Sequence, residues 1–142
     1  MAEKYREVHY WHYSPGENAK KWEEFYSKGI MAIQWDKMGD LMKYKGKDEL
    51  KNALTKYYGN NAYKMNNALA LDDFCNKIKI GDIIIVKKGK RELLGYGKVV
   101  SDYFFDSDRD EYKSFRKVNW LLKGNWKVDF DFVTKTLTDI TK

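Results

Sequence analysis

Apolar and polar positions divide the chain into strands at both ends and helices between them. From Arg6 to Tyr13 the run REVHYWHY is β-branched and aromatic enough to predict a strand, and Ser14-Pro15-Gly16 stops it. Glu17 or Asn18 then opens a helix reaching Ser27, with Ala19, Trp22, Phe25 and Tyr26 at helical spacing and Gly29 as its end. Ile30–Trp35 (IMAIQW) is a nearly unbroken apolar run and predicts a buried strand. Two helices are expected next, over Lys47–Tyr58 with Leu50, Leu54 and Tyr57 on one face, and over Tyr63–Lys77. Gly81-Asp82 launches a strand at Ile83–Lys88, and Gly89–Glu92 turns the chain into another at Leu93–Val100. Within that strand Gly95 and Gly97 permit a bend or a close backbone approach. Phe115–Leu122 predicts a further strand, Asn125–Phe130 fits a partner for it, and Thr134–Lys142 reads equally as short helix or extended chain. This order predicts one α+β domain over residues 1–142, a small mixed sheet or partly closed barrel with helices packed on it.

Composition narrows the class. At 142 residues the chain has room for one core and none for a motor or a full α/β barrel. Aromatic residues reach 16%, a heavy load for this length. The 27 basic and 21 acidic side chains leave a net charge of +6, and residues 61–100 hold most of the excess with 8 basic against 4 acidic. Such a balance favours a polyanionic partner but also suits plain solubility. One cysteine, Cys75, excludes an internal disulfide and a thiolate zinc site. The polar opening and the lack of a long apolar run predict neither signal peptide nor membrane span, and point to the cytoplasm.

Catalytic readings fail early. His9 and His12 lie three apart on a predicted strand, so their side chains face opposite ways and cannot form a local metal pair. Cys75 falls in a helical pattern beside Phe74 and reads as a buried thiol. Gly95-Tyr96-Gly97 lacks the third glycine and helix start of a dinucleotide loop, and no phosphate-loop lysine motif exists. The acidic string Asp106–Glu111 lacks calcium-loop spacing and reads as a solvated loop. No cofactor, metal or enzyme activity is expected. Trp35 stands apart from the core aromatics because it closes a buried strand and is followed by the polar turn Asp36–Asp40. An indole there, beside a carboxylate, suits stacking of a nucleobase and reading of its edge.

Five segments in order carry a family resemblance: YWHYSPGENAKKWEEF (Tyr10–Phe25), GIMAIQWDKMGDL (Gly29–Leu41), Ile80–Phe105, RKVNWL (Arg116–Leu121) and KTLTDIT (Lys135–Thr141). Together they resemble an EVE domain of the PUA-like superfamily, related to YTH domains. More particularly, they resemble the N-terminal recognition domains of McrB-type modification-dependent restriction systems. That resemblance implies an α+β pseudo-barrel of about six strands with surrounding helices, and an aromatic cage that takes a flipped, modified base. By position it places Trp35 as one wall, Asp36 at the base edge, and Ser14, Glu17 and Asn18 as polar contacts. Trp11 joins the candidate pocket, and Tyr103, Phe105 and Tyr112 are candidates for the second wall, where relatives often carry Trp. Phosphate contacts are expected from Lys87, Lys88, Lys90 and Arg91 at the hairpin tip, then from Lys43, Lys45, Arg116 and Lys117.

The expected partner is therefore nucleic acid, double-stranded DNA with a modified base, with the loop 103–112 filling the vacated stack. A GTP-driven motor domain and a separate nuclease subunit would complete the restriction complex. Three other readings stay open: a YTH-like or EVE reader of modified RNA, a small-molecule or nucleoside-binding domain without polymer contacts, and a plain structural interaction domain in which Trp35 would be fully buried.

Overall fold

The computed structural model describes residues 7–59, 64–132 and 135–141. The first strand, β1, covers Tyr10–Tyr13, and its alternation sends Trp11 and Tyr13 inward while Tyr10 stays exposed. A 3-10 turn at Glu17–Ala19 precedes helix α1, Trp22–Lys28. The expected single helix is interrupted because Asn18 and Ala19 hold φ of 54° and 56°, a left-handed conformation that no α-helix accommodates. Gly29 ends α1 as expected, at φ 69°.

Strand β2, Ile30–Ile33, is buried along its whole length and stops before Trp35, whose φ of 76° turns the chain out of the sheet. Helix α2 spans Lys47–Tyr58, and α3 spans Lys64–Asp72 before a π-helical turn at Asp73–Lys77. Leu50 and Leu54 are buried as predicted, whereas Tyr57 is exposed. The later strands are β3 (Ile83–Lys88), β4 (Glu92–Val99), β5 (Phe104–Phe105), β6 (Ser114–Lys127) and β7 (Leu137–Asp139). They form one mixed sheet ordered β2-β6-β4-β3-β1-β7, with β5 added on β6 and only the β1–β3 pair parallel.

The strands expected at 115–122 and 125–130 merge into one strand, β6, which runs through the intervening residues and ends at Lys127, so 128–130 lie beyond it. Its partner β4 shifts register between Leu93 and Gly95 and again between Tyr96 and Gly97, so the surplus residues of β6 are absorbed as bulges instead of a turn. Helix α1 packs on the sheet beside these irregularities. Trp22 meets Trp120 edge-on at 4.8 Å, and the Trp120 indole N–H donates to the carbonyls of Phe25 and Ile30, each at 3.2 Å. A Cβ at residue 97 would lie 2.6 Å from the Trp120 ring and 2.7 Å from the Asn119 carbonyl, so the close approach expected of this glycine is real.

One side chain draws distant parts of the sheet together. The Tyr13 hydroxyl donates to the Ala32 carbonyl at 2.5 Å and accepts from the Ala32 N–H at 2.9 Å. β2 stands at one end of the strand order and β1 next to the other end, so this clasp curls the sheet on itself. The architecture is the expected α+β pseudo-barrel with helices around it.

Candidate functional site

Where β1, β2 and β3 end, the curled sheet leaves a cavity of about 390 Å³. Ser14, Gly16, Glu17 and Asn18 line it from the segment after β1; Ala32, Ile33 and Gln34 from the end of β2. Lys87 and Gly89 reach it from β3 and its turn, Tyr112 from the approach to β6, and Lys135 and Thr136 from the approach to β7. The left-handed Asn18 and Ala19 are the local reason the first of these segments turns toward the cavity before α1 begins.

The lining sets polar groups beside apolar surface from Ala32 and Ile33. Ser14 donates its hydroxyl to the Gly16 carbonyl at 3.0 Å, which fixes the loop. Glu17, Asn18 and Gln34 are exposed and bring a carboxylate and two amides. Burial pushes the Lys87 ammonium down to about 8, well under the ordinary lysine value. Burial raises the Tyr112 hydroxyl, partly offset by the nearby Lys21 ammonium. A volume of this order is within the range of small-ligand pockets.

Five of the expected pocket and phosphate residues thus converge: Ser14, Glu17, Asn18, Tyr112 and Lys87. Others do not. Trp11 is 1% exposed, and its indole N–H donates to the Asp82 carboxylate at 3.0 Å inside the core, so it is a structural residue and no part of the pocket. Trp35 sits at the end of β2 as expected, half-buried against the core, but does not line the cavity. The lining includes one aromatic residue, Tyr112, so among the described residues the aromatic cage does not form. Asp36 is committed elsewhere: its two carboxylate oxygens accept from the backbone N–H groups of Tyr112 and Lys113, both at 2.9 Å, latching that loop to the turn after β2.

The second-wall candidates resolve the same way. The Tyr103 hydroxyl accepts from the Leu41 N–H at 2.8 Å and shares a bond with the Ser114 hydroxyl at 2.9 Å, and its ring packs on Phe74. Phe105 lies in β5, half-buried and paired to β6. The loop tip between them and Tyr112 is Asp106-Ser107-Asp108-Arg109-Asp110-Glu111, polar and acidic, which corrects the expectation of an aromatic wedge.

Among the phosphate candidates, Arg116 is a correction. It is 3% exposed, and its guanidinium donates to the carbonyls of Phe74 (2.8 Å), Cys75 (3.0 Å) and Ser101 (3.3 Å), clamping the end of the helical layer to β6. Lys87 is 2% exposed and contributes only from within the cavity wall. Lys43, Lys45 and Lys117 are exposed but away from the cavity lining. Lys88, Lys90 and Arg91 are exposed beside it. Sequence reasoning missed Gln34, Gly89, Lys135 and Thr136. Gln34 carried a signal, as the one polar residue inside IMAIQW; the others carried none.

The fold and site define a small α+β domain with an open cavity at its strand ends. The chain belongs to the family described as Domain of unknown function (DUF8426), whose model matches residues 11–141. No curated protein matches it. Among solved structures it is similar to the Mmi1 YTH domain, at 16% identity and a TM-score of 0.44, over 86% of this chain and 55% of that one. A YTH domain-containing protein mmi1 and RNA complex matches at 16% identity and a TM-score of 0.41, over 83% of this chain and 57% of that one. The chain spans little more than half of either solved chain.

Proposed function

We propose that this domain is a non-catalytic nucleic-acid reader that holds one unstacked base in the cavity at the ends of β1, β2 and β3. The observation that carries this reading is the cavity itself: it joins Tyr112 and the amides of Asn18 and Gln34 to a run of exposed basic residues on the adjoining hairpin. Tyr112 is 5% exposed, with Lys21 over its ring and Phe25 against it, so a base in the cavity packs on the rim of that ring. Amides supply both donors and acceptors for its Watson–Crick edge.

The finer reading is that the base is modified, and the resemblance to McrB-type recognition domains supports DNA as its source. In that reading the GTP-driven motor and the nuclease lie on other domains or chains. One observation favours an already unpaired strand, RNA included, over an intact duplex. A base drawn from a duplex leaves a gap that an apolar side chain commonly fills, and the 106–111 tip has no apolar side chain and, with four acidic residues against Arg109, a net negative charge that a phosphate backbone repels.

Fluorescence-anisotropy titration tests the proposal with matched single-stranded DNA, single-stranded RNA and duplex DNA, each bare, with N6-methyladenine or with 5-methylcytosine. The expected result is preference for one modified single strand, reduced about tenfold by Tyr112→Leu or Gln34→Ala, as loss of a packing or amide contact implies. Equal weak binding of every probe, unchanged by both substitutions, would sink the proposal. Salt-independent binding of free nucleosides alone would favour the small-molecule reading.

A further inference from the structure

Beside the cavity lies a second depression, of about 730 Å³, lined by the β3–β4 hairpin, the end of β6 and the residues just after it. Asn18 and Gly89 border both, so the two hollows are continuous. Four basic residues face this trough: Lys88, Lys90, Arg91 and Lys127. They are not equivalent. Arg91 is paired with Asp131 at 2.6 Å, and the second acidic residue, Glu92, accepts from the Asn125 amide at 2.9 Å. Lys88, Lys90 and Lys127 have no carboxylate within ion-pair distance among the described residues.

The trough is also held in shape. The Val128 N–H donates to the Arg91 carbonyl at 2.9 Å and the Phe132 N–H to the Lys90 carbonyl at 2.7 Å, so the chain leaving β6 ties down the hairpin tip. Register pairs Lys88 with Glu92 and Glu92 with Lys127 across three strands, which places two of the lysines on opposite sides of the same row. Cations on a braced hairpin lose less freedom on binding than cations on a loose loop.

We propose that a single phosphodiester strand, of DNA or RNA, leaves the cavity past Asn18 and Gly89 on one side only and lays its phosphates along Lys88, Lys90 and Lys127. This rests on the reader assignment above and adds to it a direction, a set of contacts and a polymeric ligand. Arg91, engaged by Asp131, serves to shape the hairpin. Lys127 enters here as a contact that hydrophobic patterning gave no reason to single out.

The experiment uses hexanucleotides of DNA and of RNA carrying N6-methyladenine or 5-methylcytosine at the 5′ or the 3′ terminus, with the corresponding free nucleosides as controls. Each is titrated at several salt concentrations against wild type, the triple variant K88Q/K90Q/K127Q, and R91Q. The expected result is that extension on one side of the modified base strengthens binding about tenfold more than extension on the other. The triple variant abolishes that gain and flattens the logarithmic salt slope by about 2, three phosphates at roughly 0.7 each. Nucleoside binding stays unchanged in the triple variant, and R91Q, which leaves the three lysines in place, keeps the one-sided gain. Equal gain from both extensions, or a triple variant that binds as wild type while Gln34→Ala does not, would overturn the strand path and leave the cavity reading intact. Failure of wild type to bind any probe would remove both. The DNA and RNA arms identify the source of the strand.

Discussion

Asp82 has no exposed surface, yet its carboxylate accepts hydrogen bonds from the His9 N–H at 3.1 Å, the Lys79 N–H at 3.0 Å and the Trp11 indole at 3.0 Å. Such a group is stabilising only while its donors are present, and removing it strands them in the interior. Asp82→Ala is therefore expected to destabilise the domain by about 3 kcal/mol, measured by urea denaturation. Asp73 is the opposite case. Burial, and then the neighbouring Asp72 and Asp139 carboxylates, push its pKa up from 3.8 to about 6. A carboxyl raised in the folded state costs nothing below pH 3.8, costs progressively more between there and about 6, and costs its full amount above. Asp73→Asn is thus expected to stabilise the protein at pH 7 by about 1–2 kcal/mol, allowing for its partial solvent contact, and to make no difference below pH 4. A gain that persisted at pH 3.5 would contradict this assignment. Cys75 is raised by burial to about 11, which suits an inert thiol.

At the level of elements, the clasp between β1 and β2 is the feature on which the cavity depends. Tyr13 is fully buried, and burial holds its hydroxyl protonated far above the usual phenol range. Tyr13→Phe would leave the Ala32 N–H and C=O without a partner inside the core. A loss of about 2–3 kcal/mol is expected in thermal or urea unfolding. Ligand affinity would fall as well, because Ala32 and Ser14, on either side of the clasp, both line the cavity. A variant with wild-type stability would show that the ends of the sheet are held by something else.

Much of this scale was legible beforehand. The bounds of α2 and β3 follow directly from periodicity and from the run IIIVKK, since each is flanked by a glycine turn that fixes its start or end. What patterning could not show was tertiary. Gly124-Asn125 resembles a turn, but a long neighbour with its own bulges keeps the strand running through it. Trp35 reads as a pocket wall from its place at a strand end, yet the left-handed backbone at that residue decides where the indole goes, and nothing in IMAIQW announces it. Asp36 reads as a free acceptor until the loop before β6, some 76 residues later in sequence, is seen to occupy it.

For the whole molecule, the excess charge of residues 61–100 becomes a local property of one hairpin tip. The loop carrying Asp106–Glu111 lies on the other flank, tied to α1 by ion pairs of Lys21 with Glu111 and of Arg109 with Glu24. That separation gives the surface a basic approach to the cavity from one direction and an acidic barrier from another. Steering of a polyanion would follow the first and be weakened by salt. The candidate site was thus half visible in the sequence: the loop after β1 and the hairpin lysines were found. Gln34 was marked only by its polarity within IMAIQW, and Lys135 and Thr136 join the site only through the curl of the sheet.

The central claim is that one base enters the cavity lined by Ser14, Asn18, Gln34 and Tyr112. Its most direct test is a nitrogen-15 NMR titration of the wild-type domain with N6-methyladenosine, 5-methylcytidine and their unmodified counterparts. The account predicts that one modified nucleoside shifts the backbone amide resonances of Ser14, residues 16–18, Gln34 and Thr136, and the side-chain amides of Asn18 and Gln34, and that its unmodified form shifts them less. Shifts confined to other surfaces, or none at saturating ligand, would contradict it.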